Sequence, residues 1–358
     1  MGRTRHTPGS RRLAGTPGRQ RAGAPISVPL VPIAVTGSIA TDHLMSFPGR
    51  FADSLVVDQL DKLSLSFLVD DLEVRRGGCA ANIAFGLGCL GLQPVLVGAV
   101  GEDFVGYRSW LERHRVDCDS VLVSTTRHTA RFVCTTDAAM AQIASFYAGA
   151  MSQAREIELA PVASRVGGLS LVIVSPNDPE AMLRHTEECR QRGYPFAADP
   201  SQQLAWGDGP MIRQLVDGAS LLFSNDYEAA LTEQKTGWSA AEILDRVGAR
   251  VITHGDKGVV VERSGHDPVE VAAVPAVAAV EPTGVGDAFR AGFLAALDWE
   301  LGLERAAQLG CLLATHVVET VGTQEYVLSQ QALLRRCARA YGDAAAADLA
   351  ARVRCPRP

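Results

Sequence analysis

No CxxC pair and no His/Cys spacing of a metal-ligand set occurs in this 358-residue chain, although it contains eight cysteines. Cys79, Cys89, Cys118, Cys134, Cys189, Cys311, Cys337 and Cys355 are scattered, so they read as reduced thiols and point to a cytoplasmic protein. No apolar stretch approaches the ~20 residues of a membrane span. No G-x-G-x-x-G follows the first strand-like run, which disfavours a dinucleotide-binding oxidoreductase. The Walker A pattern is absent too, since "GDKG" (255–258) lacks its spacing. There is no internal repeat and no clear interdomain linker. The formal charge is −6, yet residues 1–32 hold six arginines and no acid, which leaves −12 on the rest. Such an acidic body argues against nucleic acid as the main partner.

Hydrophobic residues make up 47% and charged residues 21%, enough for a large core in a globular chain. Residues 1–32 are rich in Arg, Pro and Gly, with almost no apolar residue before Ile26, and are expected to be disordered. Pro25, Pro29 and Pro32 interrupt the apolar stretch that a signal peptide would need.

From Ile33 onward, runs such as "IAVTG", "PVLVGAV", "LVIVS", "YPFAAD", "ASLLFSN" and "RVITHG" alternate with helix-like stretches at 80–91, 179–192, 226–234, 287–297 and 304–320. This is the pattern of an α/β domain with a mainly parallel sheet, whose ligands gather where the strands end. Residues 63–69 and 129–147 instead alternate with period two and no intervening helix, as a small β-flap or an edge extension would. From Gln330 a surface helix fading into a tail is expected.

"EPTGVGDAFRAGF" (281–293) follows the apolar run "VAAVPAVAAV" (271–280). A strand, the turn Gly284-Val285-Gly286 and a helix opening near Asp287 would aim amides and a positive helix end at one point, which is an anion site. A carboxylate there repels phosphate, so Asp287 is either an N-cap or a general base beside a site where phosphoryl charge develops.

Residues 283–287 resemble the C-terminal signature of the ribokinase-like (phosphofructokinase B) carbohydrate and nucleoside kinases. "RGGCAAN" (76–82), "NDYE" (225–228) and "GSIATD" (37–42) resemble further motifs of that family in the family order. The resemblance covers Ile33 to about Glu325, and in "MAQIASFY", "DPSQQLA" and "GTQE" it is nearest to adenosine kinases of actinobacterial type. It implies a doubly wound α/β fold over 33–330 with lid strands near 43–75 and 128–148, 331–358 forming the C-terminal helix and tail. A homodimer through the lid is compatible with it. It further implies Asp287 as base, with Gly284, Val285 and Gly286 as the amide cradle of the γ-phosphoryl. Ser38, Asp42, Gly77, Gly78 and Asn82 would hold the ribose, Phe132 and Phe146 the base, and Gln202 and Gln203 would lie at the nucleoside pocket. Asn225, Thr253, Gly255, Gly258 and Gly322 would approach ATP, and Glu228 would hold Mg²⁺ through water. Arg290 either neutralises phosphate or faces solvent. Where the family has Asp at a K⁺ site this chain has Glu281, which puts K⁺ dependence in question.

The resemblance leaves three activities to separate: phosphorylation of adenosine by ATP, phosphorylation of a free sugar such as ribose or fructose, and nucleotide binding without catalysis. Asp287 together with the N-x-x-E motif disfavours the third.

Overall fold

A strand that is apolar at every position needs cover on both faces, and the central strands here have it. In β1 (Ile33–Thr36), Ile33 and Val35 enter one core and Ala34 the other. The computed structural model describes residues 1–2, 31–55, 62 and 64–355. Most of the extension expected to be disordered, together with Leu63, lies outside them. Val31–Pro358 forms one compact unit.

The other strands are β2 (Ala40–Phe47), β3 (Asp71–Gly77), β4 (Val95–Val97), β5 (Ala99–Gly101), β6 (Leu122–Ser124), β7 (Ala130–Asp137), β8 (Gln142–Tyr147), β9 (Leu171–Val174), β10 (Phe196–Ala198), β11 (Leu221–Asn225), β12 (Arg250–Thr253), β13 (Val259–Glu262) and β14 (Val269–Val271). The large sheet runs β14-β13-β12-β11-β10-β9-β1-β4 and is parallel from β4 to β12, with β13 and β14 added antiparallel. One face packs on the helices Cys79–Cys89, Val285–Asp298 and Gly302–Val318, the other on Pro179–Arg192 and Gly209–Val216.

A second sheet, β3-β2-β7-β8, stands apart from the first. The period-two stretch 129–147 is its β7–β8 hairpin, with Phe132 opposite Phe146, so it is a flap and not an edge extension. Residues 64–69 are not a strand; the lid strands are Ala40–Phe47 and Asp71–Gly77, with the short helix Phe51–Ser54 between them. "VAAVPAVAAV" is not a strand after Val271 either. Pro275 lacks an N–H, alanine has low strand preference, and the Val280 and Glu281 N–H groups bond to the Val318 carbonyl at a helix end. The C-terminus is no fading tail: helices Gln330–Tyr341 and Asp343–Ala350 bury Leu333, Cys337, Ala345 and Leu349 in the core. Their apolar positions recur at helical spacing, the signal of a packed face. Among the described residues no helix is long and apolar enough to cross a membrane.

Helix Val285–Asp298 is buried from Ala288 to Ala296, and Gly292 allows its close approach to the neighbouring helix. A Cβ there would come within 2.5 Å of the Leu309 carbonyl and 2.9 Å of the Gly310 Cα. Gly292→Ala is therefore expected to lower the unfolding free energy by about 1–3 kcal/mol, the usual cost of overpacking, as measured by urea denaturation. An unchanged midpoint would mean that the helices slide apart freely.

Candidate active site

The strand ends of the large sheet and the inner face of the small sheet enclose a cavity of about 1290 Å³. Every site residue singled out from the sequence lines it, including Ser38 after β1, Asn225 and Thr253 at the ends of β11 and β12, and Asp42, Phe132 and Phe146 on the lid. Residues as far apart in the chain as Ser38 and Gly322 meet here because parallel strands end on one edge.

Gly284 is the N-cap of helix Val285–Asp298 at φ 76°, a left-handed conformation that favours glycine, and no side chain caps this end. Asp287 is thus the third residue of the helix and not its N-cap. Its carboxylate turns instead to the Asn82 amide, which donates to Asp287 Oδ2 at 2.8 Å. Burial pushes its pKa up to about 6, with nearby Asp199 adding to the rise, while the Arg290 charge and the Asn82 hydrogen bond oppose it. Arg290 does not face solvent. It is buried, 2.5 Å from Asp199 at the end of β10, with its guanidinium 5.6 Å from the Phe223 ring centroid.

Across the cavity, Asp42 has no hydrogen bond to its carboxylate among the described residues, and burial raises its pKa to about 6 against the opposing charge of Arg75. Glu281 and Glu325 add to the rise. Gly78 is required by space and backbone conformation, while Gly77 leaves room for the Asp42 carboxylate. A Cβ on Gly77 would lie 2.9 Å from Asp42 Oδ2, and one on Gly78, at φ 96°, would lie 2.6 Å from the Ser38 carbonyl. The Ser38 hydroxyl accepts from the Cys79 N–H at 3.0 Å, and Gln203 donates to the Asn177 carbonyl at 2.8 Å.

"NDYE" forms a capping box: Asn225 accepts from the Glu228 N–H and Glu228 from the Asn225 N–H, at 2.8 and 2.9 Å, while the Ser201 hydroxyl donates to the other Glu228 oxygen at 3.1 Å. No group of three or more His, Cys, Asp or Glu able to hold a metal ion occurs among the described residues. Glu281 Oε2 accepts from Arg75 Nη1 at 2.8 Å and from the Gly322 N–H at 2.9 Å.

Asp199, Arg75, Tyr107, Thr323 and Gln324 were not singled out from the sequence, although each touches the site. Asn82 Oδ1 is 2.9 Å from both the Thr323 hydroxyl and Gln324 Nε2. The "GTQE" stretch was a usable signal for the last two, but Tyr107 lies in an ordinary amphipathic helix and gave none.

With this geometry in place, comparison with known proteins decides the family. The pattern of the pfkB family carbohydrate kinases matches residues 42–330. The chain belongs to that family. The structure of a Burkholderia thailandensis nucleoside kinase in complex with inosine is 34% identical and covers 87% of this chain and 99% of that one, at a TM-score of 0.76. A nucleoside kinase of Methanocaldococcus jannaschii is 28% identical over 297 residues, which span 82% of this chain and 92% of that protein. The crystal structure of the M. jannaschii nucleoside kinase, described as an archaeal member of the ribokinase family, matches at a TM-score of 0.75 and 25% identity, covering 86% of this chain and 98% of that one. The fold is accordingly ribokinase-like.

A carboxylate whose pKa rises on folding binds its proton more tightly in the folded protein, so between its unfolded and folded pKa values stability falls as pH rises. For Asp287 that window runs from the ordinary carboxylate range up to about 6. Asp287→Asn is expected to make the protein more stable than wild type at pH 7, with the gap closing below about pH 4. Denaturation across pH checks this, and a less stable variant at pH 7 would contradict it.

Proposed function

We propose that the protein transfers the γ-phosphoryl group of ATP to the 5′-hydroxyl of adenosine, giving AMP, as a nucleoside kinase of purine salvage. The observation that carries this reading is a single cavity with a buried carboxylate at a helix start on one wall and an unpaired carboxylate beside an aromatic pair on the other. Asp42 accepts from the ribose hydroxyls, and Phe132 and Phe146 offer ring surface to the base. These contacts bring the 5′-hydroxyl to Asp287. The resemblance to nucleoside kinases, one of them solved with inosine, supports a nucleoside acceptor and makes inosine the competitor to test beside adenosine.

Asp287 takes the hydroxyl proton as the new O–P bond forms and the bond to the ADP oxygen breaks. The Gly284–Gly286 turn and helix end face the charge on the transferring group, so the chemistry depends on alignment and charge neutralisation. Thr253, Gly255, Gly258 and Gly322 line the ATP side. Glu228 fits a Mg²⁺ ion held through water, since Mg²⁺ keeps most of its waters and takes its other ligands from phosphates; when bound it offsets phosphate charge. A monovalent cation does not fit at Glu281, whose Oε2 already faces the Arg75 guanidinium.

Adenosine should have a much higher kcat/KM than ribose or fructose, because a base stacked on a ring gains roughly 1–3 kcal/mol that a free sugar does not. Phe132→Ala should raise the adenosine KM, and Asp42→Ala should impair every acceptor. Equal rates on free sugars, or an unaffected Phe132→Ala, would replace the nucleoside by a sugar as substrate. Asp287→Asn should lower kcat by about 10² or more with ATP binding retained. Because Asp42 and Asp287 both titrate near 6, kcat/KM should fall below that pH more steeply than one proton allows.

The pairing of Glu281 with Arg75 leads to equal rates in K⁺ and Na⁺ buffers at matched ionic strength. A severalfold advantage of K⁺ would show that a cation displaces Arg75.

A further inference from the structure

A half-turn of the Asn82 side-chain amide exchanges its nitrogen and oxygen with almost no change of shape. Which end meets Asp287 decides whether carboxylate or carboxylic acid is favoured there. Thr323 leaves the choice open, because its hydroxyl also lies 2.9 Å from the Arg76 carbonyl and can donate to that carbonyl while accepting from an amide.

Gln324 removes that freedom. Its Nε2 lies 2.9 Å from Asn82 Oδ1 and 2.5 Å from the Tyr107 hydroxyl, which lies 2.9 Å from the Gly77 carbonyl. A backbone carbonyl only accepts, so Tyr107 gives its one proton to Gly77 and its oxygen must accept from Gln324. Gln324 must then present nitrogen, whose second proton reaches Asn82. Asn82 must answer with oxygen, which leaves its nitrogen for Asp287. Gln324 is fully buried and its Oε1 has no partner among the described residues. Turning Gln324 over would leave its two N–H protons without these acceptors and oppose oxygens at both contacts, a worse outcome than one orphan acceptor.

We propose that Gln324 and Tyr107 are positioning residues that pass the fixed polarity of the Gly77 carbonyl along to the Asn82 amide, so that Asn82 donates to Asp287 and holds it as a base. The proposal rests on Asp287 being the base of the phosphoryl transfer proposed above. Gly77 ends lid strand β3, so the relay also joins the lid to the reacting end of the cavity. The other titratable groups facing Asp287 are Arg290 on its own helix, Asp199 at the end of β10, and Cys79 and Tyr326, whose pKa values burial raises well above the ordinary range. Cys79 and Tyr326 therefore stay neutral near pH 6, and Asp199 is paired with Arg290.

The test is kcat and KM for adenosine, together with urea stability, measured from pH 4.5 to 8 in wild type, Tyr107→Phe, Gln324→Met, Asn82→Ala and the Asn82→Ala/Gln324→Met double variant. Losing a fixed donor to a charged group should make Gln324→Met lower kcat about tenfold and move its acid limb up by about one pH unit, with KM little changed. Tyr107→Phe should move the limb less, in the same direction. In the Asn82→Ala background Gln324→Met should add less than about twofold, because both act through one contact. The pH at which stability changes should move with the acid limb, and that readout needs no substrate. Acid limbs and stability profiles at wild-type positions in both Tyr107→Phe and Gln324→Met, or additive effects in the double variant, would overturn the relay. A wild-type protein inactive on adenosine, inosine, ribose and fructose would sink the kinase reading instead, while the moving stability profile would still uphold the relay.

Discussion

Burial favours the neutral acid at Asp287, whereas the proposed phosphoryl transfer needs its carboxylate, and two neighbouring groups oppose the effect of burial. Asn82 donates to it, and Arg290, one turn further along the helix, lends it positive potential while paired with Asp199. The pairing matters because a lone buried guanidinium would be costly, whereas a hydrogen-bonded pair can persist next to the carboxylate. The same burial that opposes ionisation would keep water from the place of the proposed phosphoryl transfer, so the conflict and the proposed chemistry share one cause.

Holding that carboxylate in place requires a rigid support. The helix that carries it is wedged between two others and against the sheet, with Phe293 meeting Phe223 edge-on at 5.4 Å and Ala291 filling the space left by Gly86. The lid is built on the opposite plan. All of β8 is exposed, and few apolar residues anchor β2 and β3. Its attachments to the large body are polar: Arg75 to Glu281, Arg76 to Glu325, and the Gly77 carbonyl to Tyr107. Arg76–Glu325 is the more open of the two ion pairs and contributes little stability, while Arg75–Glu281 is partly buried and the Tyr107 bond to Gly77 is buried.

Much of this was legible in the chain itself. Strand runs and helix starts can be read where the hydrophobic period is regular, and helix Pro179–Arg192 follows its start signals to the residue. The failures have local causes. "VAAVPAVAAV" is apolar without being a strand, because an apolar run reports burial and not backbone conformation. Residues 64–69 alternate like a strand, yet the pairing partner of β2 is Asp71–Gly77, whose charged face carries little hydrophobic signal. The C-terminal stretch reads as a surface helix fading into a tail because it is rich in alanine and arginine, although Leu333, Cys337, Ala345 and Leu349 at helical spacing reach the core.

The sequence by itself determined the alternation of strands and helices, the glycines at the crowded turns and the order of the motifs, since each depends on residues near one another in the chain. It could not determine the partners of the site groups. The sequence suggests Asn82 for a ribose, Glu228 for a water-held Mg²⁺ and Glu281 for a possible K⁺ site, and the folded chain adds Asp287, Ser201 and Arg75 as their protein partners. Those partners lie up to about 200 residues away and meet only when parallel strands bring their ends to one edge. A side-chain hydrogen bond depends on distance and angle in space, so only the tertiary structure decided which way an amide turns and which carboxylate stands free.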